Sequence, residues 1–289
     1  MTRAFDMGSL PIQLIVNADD YGYYRCVSRG ILQAAASGAV TATGILANGP
    51  RLEEQIGWLG EYGDLETGIH LVLTFRRPLA SQMAEKLGKW EGSFPSLLAM
   101  ISELLSGRID LDIVRTEWQT QIETLLGFGI KPGFLNSHEH IHMLPRLFSL
   151  ASELAEEYEI PHLRLTRAEW MTPFDFSSIS RNFLLQGMES VNLIRMGQVI
   201  PFFIGLNCSG KLDLTYLKKR FARLKPGLTY ELMCHPGLFD PSEIKDLRLL
   251  AYHAWEDELA LLTGSEIKEL LEEFNIRLVN YRESVPYPR

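Results

Sequence analysis

The chain has 289 residues, 46% of them hydrophobic, and a formal net charge of -8. That length suits one large domain, 1–289, and the acidic balance excludes a general nucleic-acid or anionic-membrane surface, either of which would want clustered Lys and Arg. Three cysteines without CxxC spacing exclude a disulfide framework and a thiolate zinc site; with no apolar leader and no membrane-length run, a cytoplasmic protein is expected.

Apolar runs of strand length alternate with stretches of helical period, the pattern of βα units around a parallel sheet. "IQLIV" leads into "NADDYGYY", and "CVSRGILQAAASG" follows as a helix with Val27 and Ile31 on one face and Gly38 as its stop. "AVTATGILANG" reads as the second strand, "RLEEQIGWLGEYG" as its helix, and "LETGIHLVLT" as a third strand with His70 near its C-terminal end. From Phe75 to about Phe94 the pattern breaks into a long excursion of the kind that covers active sites in βα folds. "LDIVRTEWQTQIETLLGFG" then stripes Val114, Trp118, Ile122 and Leu125 on one helical face. "KPGFLNSHEHIHMLP" is the fourth strand with its loop, "RLFSLASELAEEYE" a helix and "HLRLT" a fifth strand. Trp170 to Val199 gives no legible period. The strand "IPFFIGL", the helix "LTYLKKRFARL", the strand "LTYELMCHP", a helical region Leu247–Leu262 and the pair "SEIKELLEEF" and "IRLVNY" complete the chain.

Four polar clusters sit just after apolar strands: Asp19-Asp20, His70, the triplet His138, His140 and His142, and His235 in "MCHPG". In a parallel α/β fold the C-terminal strand ends converge on one face, so these clusters can meet. One carboxylate with two imidazoles suits a zinc-like or mixed divalent site with positions open for water and substrate. Alone, the Asp pair also reads as a turn or helix cap, and His70 as a satisfied core histidine. The triplet is harder to dismiss, because alternation on an extended segment places all three imidazoles on one side. His162 and His253 read as surface or structural residues. "GLNCSGKL", Gly205 to Leu212, matches GxxxxGK but has Leu212 where a phosphate-binding loop needs a hydroxyl.

The ordered blocks "VNADDYG", "VTATGILANGP", "GIHLVLTFRRPL", "NSHEHIHMLP" and "ELMCHPG" resemble those of the YdjC-like, or ChbG/HpnK, carbohydrate deacetylases. The resemblance spans about residues 12–240, with Tyr21 where the family usually has Phe. It implies a (β/α) barrel, TIM-like or distorted, related to that of polysaccharide deacetylases, and removal of acetyl groups from N-acetylated amino sugars with a divalent ion, Mg2+ in the family and Zn2+ as the other candidate. Carried over by residue, it implies that His70 and His138 hold the metal, with Asp20 as third ligand and Asp19 as general base. His235 then stands as the acid for the departing amine, against a bland reading as a loop histidine held by Pro236. His140, His142 and Glu139 are expected to orient the ligands, Arg164 to bind sugar hydroxyls or a phosphate, and Trp90 or Phe94 to stack on sugar rings or an isoprenoid-like tail. A different barrel metal hydrolase, amidohydrolase-like or a phosphoesterase, would place HxH after the first strand, where Asp19-Asp20 stands instead. A non-catalytic carbohydrate-binding protein would not need a base. The sequence leaves homo-oligomer formation open.

Overall fold

The computed structural model describes residues 10–170, 176–194 and 201–284. The opening residues 1–9, read above as lacking an apolar leader, lie outside the described residues. Among the described residues eight strands form one sheet: β1 (Ile12–Tyr21), β2 (Ala42–Ile45), β3 (Glu66–Leu71), β4 (Phe134–Ser137), β5 (His162–Leu163), β6 (Phe202–Ile204), β7 (Thr229–Cys234) and β8 (Ile276–Leu278). Every pairing is parallel, in the order β5-β4-β3-β2-β1-β7-β6, with β8 paired to the start of β1. The sheet is a half-barrel: among the described residues β5 and β6 do not pair with each other, so the expected (β/α) barrel is realised in its distorted, open form.

Period-two alternation explains what each strand contributes. On β1, Leu14, Val16 and Ala18 enter the large apolar cluster between sheet and helices, whereas Ile15 belongs to a separate interior cluster with Ala42, Phe134, Val279 and Tyr281. Continuing on the interior face from Ile15 are Asn17 and Asp19; from Phe134, Asn136; and on β7, between Tyr230 and Leu232, Glu231. The interior is therefore apolar at the N-terminal ends of the strands and polar toward their C-terminal ends. The helix Leu111–Gly127 packs Trp118, Ile122 and Leu125 into the outer cluster, as its stripe predicts.

Three segments differ from the sequence reading. β1 continues through Asn17–Tyr21, so the two aspartates lie on the strand. β4 stops at Ser137, and His138–Met143 form a 3-10 turn in which Glu139 and His140 adopt left-handed backbone (φ 52 and 54). The histidine triplet is therefore not extended and does not share one side. Part of the illegible stretch, Phe176–Leu193, is a helix that reaches the 3-10 turn through an Asn192 side-chain bond to the Met143 carbonyl (2.9 Å).

Candidate active site

Asp20, His70 and His138 converge at the C-terminal ends of β1, β3 and β4, with ligand atoms all within 4.8 Å of one another. Neighbouring strand residues normally face opposite ways, so a device is needed to bring Asp19 and Asp20 to one place. The pairing of β1 with β2 supplies it: the register shifts between Ala18 and Tyr21, and Asp20 has φ 73. This bulge re-aims the second carboxylate, and Asp is among the residues that tolerate left-handed backbone.

The donor set fits a cation. Asn136 donates to Asp19 Oδ1 (2.9 Å), which turns its own oxygen toward His70 Nδ1 (2.7 Å). His70 therefore carries its proton on Nδ1 and aims the Nε2 lone pair at Asp20 Oδ1, 3.3 Å away. Two electron-rich atoms facing each other, with His138 Nδ1 3.1 Å from the same oxygen, are the arrangement a divalent ion would bridge. Gly44 leaves space for the Asn136–His70 pair, since a Cβ there would stand 3.2 Å from both the Asn136 oxygen and His70 Cβ.

Asp19 is held from every side. Arg164 donates to Oδ2 (2.6 Å) and Oδ1 (3.0 Å), and Asn17 and Asn136 add bonds to Oδ1. Burial would raise its pKa, but the Arg164 guanidinium and nearby His70 more than offset this and bring it down to about 2. Arg164 itself is 1% exposed and donates through Nε to Glu231 (2.6 Å), making a buried Asp-Arg-Glu chain across the barrel. It is thus not available to sugar hydroxyls or a phosphate as expected; an ionised side chain on an interior strand position pairs internally.

The cleft over this centre has a volume of about 650 Å³, and its walls include Tyr23, Tyr24, Phe75, His140, Arg181, His235, Tyr252 and His253. His235 faces the cleft as expected, with its backbone N–H held by the buried Glu258 carboxylate (2.6 Å), which also accepts from Leu212 N–H (3.0 Å). Leu212 thus sits in a connection tied down ahead of the helix Leu214–Phe221. Tyr23 stacks on Phe75 (centroids 4.0 Å) and both approach His138, building an aromatic wall. Trp90 and Phe94, expected at the sugar, instead pack on the apolar core, because their excursion folds back on the helices.

A family model described as "YdjC-like protein" matches residues 13–273. The chain belongs to the YdjC-like family. Among its relatives, a carbohydrate deacetylase of Geobacillus stearothermophilus is 32% identical, with 95% of this chain and 98% of that protein aligned. A carbohydrate deacetylase of Clostridium beijerinckii is 29% identical over 94% of this chain and 100% of its own. A chitooligosaccharide deacetylase of Yersinia enterocolitica is 29% identical, with 93% and 98% aligned. The crystal structure of a putative cellobiose-phosphate cleavage protein from Enterococcus faecalis shares the fold, with TM-score 0.72 and 24% identity over 94% of this chain and 98% of that one.

In this YdjC-like chain the triplet divides. His138 joins the metal-competent group, whereas His142 is fully buried, bonded to Ser137 Oγ (2.6 Å) and the Arg164 carbonyl (3.0 Å). His140 lines the cleft and meets Thr166 Oγ1 (3.1 Å). Neither His140 nor His142 is bonded to a ligand residue, contrary to the expected orienting role, which Asn136 fills for His70. Sequence reasoning passed over Asn136, Glu231 and His253. The first two carried a signal: an amide or carboxylate side chain inside a short, buried strand, as in "FLNS" and "TYELMC", must find an internal partner. His253, set aside as structural, lines the cleft beside His235 with ring centroids 5.2 Å apart.

Proposed function

We propose that the protein is a metal-dependent hydrolase that removes the acetyl group from an N-acetylated amino sugar. Membership of a family whose aligned relatives bear deacetylase names, together with the convergence of Asp20, His70 and His138, supports this reading, and the convergence carries it. Asp20, His70 and His138 hold the ion. When bound, the ion supplies Lewis-acid activation of water and of the acetyl carbonyl. Two imidazoles and one carboxylate suit Zn2+; Mg2+, implied by the family resemblance, would need further oxygen ligands from water. Asp19, anionic throughout the neutral range, takes the proton of the attacking water, acting as base only because that proton's own acidity is raised. Arg164, Asn17 and Asn136 fix its orientation. His235, whose Nδ1 has no partner among the described residues, delivers a proton to the departing nitrogen.

The substrate is an oligosaccharide on this reading, since aromatic, hydroxyl and charged groups all line the cleft. The three thiols are unpaired, which suits a reducing cytoplasm, and no helix among the described residues is long and apolar enough to cross a membrane. Metal analysis of the purified protein and acetate release from a β-1,4-linked N-acetylglucosamine disaccharide test the proposal. Stoichiometric metal with acetate production is expected; metal without acetate from any N-acetylated sugar sinks it.

A further inference from the structure

We propose that His253 is a sugar-binding residue of the cleft, offering its Nε2 to a substrate hydroxyl; this rests on the deacetylase reading above. His253 follows the helix Leu247–Tyr252 and is 8% exposed, yet it lines the same cleft as Asp19, Asp20, His138 and His235. Its plane is fixed on several sides. Trp255 stacks on it at 4.7 Å with an interplanar angle of 9°, Tyr252 meets it edge-on at 4.7 Å, and His235 lies 5.2 Å away. Its Nδ1 is enclosed, has no hydrogen-bond partner among the described residues, and faces Gly210, where an added Cβ would lie 3.1 Å from it.

A histidine kept only for packing either satisfies its buried nitrogens or gives way to an apolar ring. Here a phenylalanine would stack on Trp255 equally well, and the enclosed, unpaired nitrogen costs about 1–3 kcal/mol. The ring nitrogen left for a partner is Nε2, beyond Cε1 from Nδ1 and pointing in a different direction. A sugar hydroxyl both donates and accepts, so it satisfies Nε2 in either tautomer. Trp255 and Gly210 then position this imidazole as Asn136 positions His70.

The test compares His253→Phe, which keeps the stack and deletes the nitrogens, with His253→Gln, whose amide reaches the place of Nε2, and His253→Asn, whose amide reaches that of Nδ1. With the β-1,4-linked N-acetylglucosamine disaccharide, His253→Phe is expected to raise KM roughly tenfold, the loss of about one hydrogen bond, while kcat stays within about threefold. His253→Gln should recover most of the affinity and His253→Asn little. Hydrolysis of 4-nitrophenyl acetate, which carries no sugar, should be unchanged. Disaccharide binding by calorimetry, measured without turnover on chelator-treated protein, should weaken in parallel. Unchanged KM and binding in His253→Phe, equal loss on sugar and ester, or recovery by Asn rather than Gln would overturn the proposal. If His253→Phe does not fold, the Gln and Asn pair decides. Wild-type protein that binds the disaccharide through His253 but releases acetate from no N-acetylated sugar would refute the deacetylase reading alone, and failure to bind any N-acetylated sugar would refute both.

Discussion

Asp19 and Asp20 are adjacent in sequence and opposite in circumstance, one clamped by a guanidinium and two amides, the other facing two imidazoles. Their substitutions should therefore separate. His138→Ala should lose metal and activity together, whereas Asp19→Asn should keep most of the metal and lose turnover by roughly 10²-fold or more; metal content and acetate release on the same preparations check both. The buried chain behind Asp19 makes a stability prediction. Glu231→Ala leaves Arg164 with half its partners, and breaking a buried pair costs on the order of 3–5 kcal/mol. Denaturant unfolding should show that loss, and a cost below about 1 kcal/mol would mean that water replaces the carboxylate. The Asp pair, His70, His138 and His235 were legible because each ends an apolar run. The geometry that sorts the pair was not, since a bulge depends on how β2 pairs with β1 rather than on any local pattern.

At the scale of elements, the turn His138–Met143 shows where periodicity misleads. Alternate histidines read as one face of an extended segment, but two successive left-handed residues swing His142 into the core, where it supports the Arg164 carbonyl. The consequence is measurable with pH. Burial pushes His142 down to about 3, while the same residue in the unfolded chain titrates near 6.5. The unfolded chain takes the proton first, so the stability His142 contributes is present above about pH 6.5 and is lost as pH falls toward 3. Replacing it by Gln should flatten the dependence of stability on pH by up to about 1.4 kcal/mol per pH unit within that window; identical slopes in the two proteins would contradict the assignment. The segment after β7 carries His235, the proposed acid. His235→Ala should slow amide cleavage strongly and spare an activated aryl acetate, whose phenolate leaves without a proton, whereas equal loss on both would assign His235 to binding.

For the whole molecule, the candidate ligand residues come from β1, β3 and the turn after β4, so an ion held by them would tie together segments far apart in sequence. Bound metal should stabilise the fold by about 2.7 kcal/mol at a free concentration of 100 Kd. A chelator should lower Tm accordingly in wild-type protein and have no effect on Asp20→Ala. The alternation of strands and helices was enough to predict a parallel sheet with its polar ends converging. That the barrel stays open was not, because β5 and β6 are two and three residues long and closure depends on edge pairing between segments distant in sequence.

That gap divides the sheet into a tight spine and a loose seam. β1 bonds along both its edges to β2, β7 and β8, while β5 and β6 each have one neighbour among the described residues. Amide hydrogens should therefore exchange last along Leu14–Ala18 and first along Leu163 and Phe203–Ile204, in a gradient running outward from the spine. Asp19 and Asp20 follow directly on the part of the molecule that opens last, and Arg164, one residue beyond Leu163 of the seam, joins the two by its bonds to Asp19.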